Sequence, residues 1–375
     1  MTTNDNLSPI RDYIENIAPW AHGHQLNGLT DFVLAILDRQ TGNQADLVRE
    51  MGNQEAAQRR LTRLIHNERL SAHRLAEAIL AQAILQLPKQ GRIHLALDWT
   101  IEAEQYLITI SLVLRGRAVP IYWRAYTEGV LKGRMRIYEA ALLKRVLTRF
   151  GQTIDLSRLR LTADRGFADV ALMDLLDSYG VLYVIRARAS TQVLVQGQWQ
   201  QLQTLKFFTN SRKRNLGRVQ YCKSKPRSVW VSLSRVRNEA GDWEVWQLVS
   251  NYRSRAGQMT TDYARRFGCE QGFRDVKRLL GFAEARIADI QAWSRFFALF
   301  AIALLILVSL GTALLNLGKQ AIVQLLRRVA SRRRGRWELS LVNAILLLLK
   351  TDPTLWHWLC PQTTLDLDVA LPNVS

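Results

Sequence analysis

A mixed α/β fold carrying a β-rich insertion is predicted, and three observations predict it. Period-two hydrophobic alternation begins near residue 92 and runs through three consecutive segments, RIHLALDWTI, YLITISLVLRG and AVPIYWRAY. Helix-spaced and strand-like segments then alternate up to about residue 188. Between 189 and 258, short strand-like runs return, separated by turn residues.

Residues 1–90 read as helical. QADLVREM, EAAQRRLTRLIHN and AHRLAEAILAQAIL place apolar residues three and four apart, with Arg and His between them. Asn67 and Glu68 mark a turn, Ser71 suits an N-cap, and Pro88 and Gly91 punctuate the boundary. A small basic helical domain of this kind is a candidate reader of duplex DNA. The competing reading is a helical scaffold with no groove-reading role.

Residues 91–188 supply the three alternating segments, then a helix over 135–150, a fourth strand in SRLRLTAD ending at Asp164, a helix closed by Gly180, and a fifth strand in VLYVIRA. The order βββαβαβ is that of the ribonuclease H-like, retroviral integrase-like fold, a mixed sheet with helices on both faces. Residues 189–258 form the β-rich insertion. Its segment 211–227 carries seven basic residues and no acidic ones, which suits a nucleic-acid backbone or, alternatively, a hairpin edge kept from pairing by its charges. Residues 259–350 hold the second part of the core and the C-terminal helices, and 351–375 form an irregular tail.

Within that last part, residues 296–317 are long and apolar enough for a membrane span. Ser309, Thr312 and Asn316 interrupt the run, and a helix apolar all round also serves as the core helix of a large domain, which is the expectation here. Six arginines in RRVASRRRGR, 327–336, suggest a phosphate contact.

A chain of 375 residues has room for two or three domains. The formal net charge of +19, from 51 basic and 32 acidic residues, favours a polyanionic partner. Three scattered cysteines, Cys222, Cys269 and Cys360, imply neither a disulfide framework nor a zinc site and suit a reducing cytoplasm. The N-terminal MTTNDNLSP has no apolar stretch of a signal peptide.

The residues that point to chemistry are acids in unusual places. Asp98 sits among strand apolars in LALDWT, a costly position unless the acid is solvated, paired or metal-bound. Asp164 closes the fourth strand, a neighbour of the first in this topology. Glu270 belongs to the pattern Tyr263-x2-Arg266-x3-Glu270-x6-Lys277, whose four side chains fall within about 60° on an ideal α-helix. Three hard oxygen donors suit Mg²⁺ or Mn²⁺, not zinc, and two such ions can serve phosphoryl transfer. Simpler readings exist for each: Asp98 paired with an arginine, Asp164 as a helix cap, and the Glu270 stripe as a solvated basic face.

With these residues in place, the chain resembles the DDE transposases of bacterial insertion sequences, in the insertion-sequence-four type group marked by Tyr-x2-Arg-x3-Glu-x6-Lys. DWT at 98–100 is similar to the first-acid motif and DRGF at 164–167 to the second. The resemblance covers roughly 92–350. It implies that Asp98, Asp164 and Glu270 hold two Mg²⁺ ions, with Mn²⁺ able to substitute. It further implies cleavage of double-stranded DNA at transposon ends, strand transfer by the freed 3′-OH, and a homodimer on the DNA. Tyr263, Arg266 and Lys277 would hold phosphates, and Arg186 resembles a family arginine near the DNA strand. Trp246 occupies a place similar to that of a base-stacking tryptophan in the insertion of relatives, with Trp243 as a rival and a buried strand residue as the plain alternative. A cytoplasmic, nucleoid-associated protein with no membrane partner is expected.

Overall fold

The computed structural model describes residues 8–368, apart from 103, 116, 239, 317–318, 328–331, 334–335 and 338–339. Five helices come first: α1 (Ser8–Ile17), α2 (Gly23–Arg39), the short α3 (Gln44–Val48), α4 (Gln54–Ile65) and α5 (Ala72–Leu85). Side-chain caps start three of them, at Asn43, Asn53 and Ser71, each oxygen accepting from a first-turn backbone N–H.

The meander β1 (Ile93–Glu102), β2 (Gln105–Leu114) and β3 (Arg117–Thr127) follows. After it come α6 (Glu128–Leu131), α7 (Met135–Gly151), β4 (Leu159–Ala163), α8 (Val170–Ser178) and β5 (Leu182–Arg186). These strands lie in the order β3-β2-β1-β4-β5, with β1, β4 and β5 parallel and β2 antiparallel to both neighbours. The result is a mixed α/β arrangement with a large mixed sheet, compatible with a ribonuclease H-like domain.

The insertion does not form a sheet of its own. Its strands β6 (Gln192–Val195), β7 (Gln198–Gln201), β8 (Lys213–Tyr221), β9 (Arg227–Arg237) and β10 (Trp243–Ser250) continue the same sheet to ten strands. β10 runs antiparallel to β5 with Leu248 opposite Arg186, so the start of β10 lies beyond the end of β5. WQQLQTLKFF is strand only in its first part; from Leu202 it turns.

The chain then forms α9 (Ala256–Ala264), α10 (Phe267–Arg274), α11 (Ile290–Leu315), α12 (Lys319–Arg327), the strand pair β11 (Arg332–Arg333) and β12 (Arg336–Trp337), and α13 (Leu341–Thr351). Most of the arginine segment 327–336 lies outside the residues whose side chains are described. α11 meets the length and composition of a membrane span, yet 89% of its apolar window is buried within the protein. It contacts α2, α4, α5, β3 and α13. Of its polar interruptions, Ser309 shares hydrogen bonds with Tyr13 (2.8 Å) and Gln86 (3.1 Å), whereas the buried Thr312 hydroxyl has no hydrogen-bond partner among the described residues. Arg295 on the same helix donates to the carbonyls of Ile65, the last residue of α4, and of Leu70 beyond it. The N-terminal helices and the sheet thus share one contiguous apolar core, from Ile10 to Leu365.

Candidate active site

Five buried residues, Ile93 to Leu97, lead β1 into the sheet before the chain becomes partly open at Asp98. The parallel register ends with Leu97 opposite Ala163, so Asp98, still paired with Thr109 on β2, and Asp164, the first residue past β4, come side by side. Asp98 Oδ1 accepts from the backbone N–H of Trp99 at 3.1 Å. Asp164 caps the 3-10 turn Arg165–Phe167, accepting from the Arg165 N–H at 2.7 Å. It therefore caps a turn and faces the candidate site at once, because Tyr263 Oη donates to the same Oδ1 at 3.3 Å.

The third acid comes from a broken helix. α9 ends at Ala264 and α10 begins at Phe267, with the chain turning at Arg265 and Arg266. The break lets α9 lie on β5, β9 and β10 while α10 lies on β2 and β3. Close approach of α10 depends on two glycines one turn apart. A Cβ at Gly268 would stand 2.8 Å from the Arg117 carbonyl oxygen, and one at Gly272 would collide with that of Ala118. At Asp275–Leu279 the helix widens to a π turn, next to the buried Arg117–Asp275 ion pair. The single 60° stripe of an ideal helix is thus not what the chain adopts: the break and the π turn interrupt it before Lys277.

Arg266 is the hub. Its Nη2 donates to Glu270 Oε1 at 2.7 Å, and its Nη1 lies 3.6 Å from Asp98 Oδ2. The guanidinium carbon is 5.6 Å from the Tyr263 ring centre and 5.2 Å from that of Phe267. Only 7% of the residue is exposed. Burial alone would lower its pKa, but Tyr263, Asp98 and Glu270 outweigh that and hold it charged. Burial lifts Asp98 to about 6; Arg266 opposes the rise, while Asp164 and Glu270 add to it. Tyr263 is pushed up to about 12, chiefly by burial, and stays a neutral donor.

Carboxylate oxygens are the donors hard divalent ions take. In that chemical sense the three acids fit a metal. Among the described residues, however, no group of three or more His, Cys, Asp and Glu side chains is gathered closely enough to hold one. The cation between Asp98 and Glu270 is Arg266.

The other expected site residues lie around this hub. Lys277 Nζ is 2.6 Å from Glu102 Oε2, four residues beyond Asp98 on the same face of β1. Arg186, at the end of β5, donates to Glu244 at 3.2 Å. Trp246 is 5% exposed, within a small core with Val184, Leu248, Met259 and Tyr263. Its ring is stacked 5.4 Å from Phe267 and edge-on 5.0 Å from Tyr263. Trp243 is the open one, 48% exposed, with the guanidinium groups of Arg212 and Arg237 at 4.8 and 4.9 Å. Sequence reading passed over Glu102, Glu244, Gly268 and Gly272. The alternation Asp98, Thr100, Glu102 and the four-residue glycine spacing were the available signals.

No curated protein matches the chain. Residues 130–306, just under half of it, match the family described as "Transposase DDE domain", a span that begins after Asp98 and includes Asp164 and Glu270. DDE transposases bind DNA and generally use divalent metal ions. Over that span the chain is similar to the transposase DDE domain, and the likeness supports a DDE transposase, an enzyme of the nuclease and transesterase class.

Proposed function

We propose that this protein is a cut-and-paste transposase of a bacterial insertion sequence: it cleaves double-stranded DNA at transposon ends and transfers the freed strand to a target. The observation that carries the reading is the meeting of Asp98, Glu270 and, through Tyr263, Asp164 around one buried arginine beside the end of β4. Asp98, Asp164 and Glu270 are the residues that would hold two Mg²⁺ ions, or Mn²⁺ in their place. Bound there, the ions would activate an attacking oxygen and stabilise a leaving one.

The chain's own side chains do the rest. Tyr263, Arg266 and Lys277 hold phosphates of the DNA end and fix the scissile bond against the acids, with Arg186 beside them. Water attacks first and leaves a 3′-OH; that 3′-OH then attacks a target phosphodiester, and no bond to the protein forms. Two ends are served by a homodimer, in the bacterial cytoplasm close to the nucleoid and without a membrane. Burial of α11 inside the protein is in keeping with that location.

Purified protein incubated with labelled end fragments tests the reading, with Mg²⁺ or with EDTA, and wild type beside Asp98→Ala. Metal-dependent nicking at the end, absent from the variant, is expected. Tight binding with no cleavage under any metal would favour the second reading, a catalytically inactive, transposase-derived DNA-binding protein.

A further inference from the structure

Arg266 is placed as a competitor of the metal ions expected at this site. Its guanidinium donates to Glu270 at 2.7 Å and stands 3.6 Å from Asp98, so two of the three acids already share a cation. Aromatic rings of Tyr263 and Phe267 flank it. A buried arginine so held is not displaced by a divalent ion without loss of both contacts.

The same residue is not fully satisfied. Its Nε is buried and has no hydrogen-bond partner among the described residues. A guanidinium offers five donors in a planar fork that matches a phosphate, and here the fork is only partly used. Arg266 also stands where the helix is broken, between α9 and α10, not within a continuous turn. A phosphate arriving at this junction would give the unused donor an acceptor and compete with the carboxylates for the fork.

Building on the transposase reading above, we propose that Arg266 is a lock on the metal site: without DNA it stands between Asp98 and Glu270 in place of a metal ion, and a DNA phosphate next to the scissile one draws it away. Metal loading then follows DNA binding, and protein free of DNA carries little bound metal. Arg266 is in this sense a positioning residue, acting through the acids and not on the reacting atoms.

The direct test is Mn²⁺ binding by the full-length protein without DNA, measured by calorimetry and by the loss of free Mn²⁺ paramagnetic resonance signal. Arg266→Met keeps an apolar stem and removes the charge. It is expected to bind Mn²⁺ at least tenfold more tightly than wild type, and Asp98→Asn added to it should abolish the gain. Equal or weaker binding by a folded Arg266→Met protein, or no detectable binding by either protein, overturns the proposal. A duplex end whose scissile phosphate is a neutral methylphosphonate cannot lend that phosphate to the metal. It should still raise the wild-type affinity toward that of Arg266→Met; an unchanged affinity overturns the proposal.

Should Arg266→Met fail to fold, side-chain NMR of wild-type protein labelled at arginine asks the same question. The slowly exchanging guanidinium signal of a buried, carboxylate-bound arginine should shift or vanish as Mg²⁺ and the modified duplex are added together, and persistence at saturation overturns the lock. Failure of the lock is distinguishable from failure of the transposase reading. End nicking by wild type reports on the function alone, and tighter Mn²⁺ binding by Arg266→Met reports on the lock alone.

Discussion

Lys277 and Glu102 form an ion pair of 2.6 Å between the π turn after α10 and the end of β1. Lys277 therefore meets an acid of its own and does not join Arg266 at Asp98 and Glu270. A lysine that also serves a phosphate must exchange Glu102 for it. Lys277→Ala should weaken binding of a DNA end and lower the slope of log affinity against log salt by about 0.9. Glu102→Gln should tighten binding. Filter binding across a salt series checks both; an unchanged slope in Lys277→Ala removes the phosphate contact.

Glu270→Ala and Asp98→Ala should each leave end binding within a few fold of wild type and abolish nicking. In Glu270→Ala the guanidinium of Arg266 loses its 2.7 Å partner, so a modest gain in DNA binding is in keeping with the geometry. Cleavage persisting in Glu270→Ala would remove that residue from the site.

The raised pKa of Asp98 has a signed effect on stability. An acid at about 6 in the folded protein against 3.8 as a free side chain binds more protons folded than unfolded between those values. Its contribution is therefore fully present below pH about 4 and is lost as pH rises to about 6. Relative to wild type in EDTA, Asp98→Asn should gain stability over that window by up to about 3 kcal/mol and hold the gain above it. Urea melts at several pH values measure the difference; a difference that does not vary with pH would place Asp98 in an ordinary solvated setting.

The two tryptophans of β10 should separate stability from DNA contact. Trp246 is enclosed by Tyr263 and Phe267, so Trp246→Ala should cost about 3–5 kcal/mol of folding stability. A base could stack on Trp246 only after Phe267 moved away. Trp243 is exposed between arginines, so Trp243→Ala should change stability by about 0.5 kcal/mol or less. If an unpaired base stacks there, binding of an end with a flipped or missing partner base falls by roughly 1–3 kcal/mol. Equal binding by wild type and Trp243→Ala would rule that contact out.

Gly272→Ala tests how Glu270 is held. A methyl group there meets the Ala118 carbonyl, so α10 must shift away from β3. Overpacking of this kind costs about 1–3 kcal/mol. Nicking should fall further than stability accounts for, because the shift carries Glu270 with it. Full activity in the folded variant would show that α10 need not lie so close.

What the sequence by itself determined is local or periodic. Strand-like patterning marked β1 to β5 to within about two residues, and capping residues such as Ser71 and Gly180 marked helix ends. The ribonuclease H-like strand order put Asp98 and Asp164 on neighbouring strands, and the parallel β1–β4 register agrees. The polar interruptions at Ser309 and Thr312 already set α11 apart from a lipid-facing span, and burial against the N-terminal helices agrees. The tertiary structure alone decided which partner each side chain meets. An ideal helix put Lys277 on the Glu270 stripe, but two glycines against β3, a break at Arg266 and a π turn moved it to Glu102. Period two could say that Trp246 and Trp243 face opposite ways on β10, not that α9 and Phe267 cover one of them. Periodicity describes the direction in which a side chain leaves its own backbone; what waits there is set by elements distant in sequence, and so by packing.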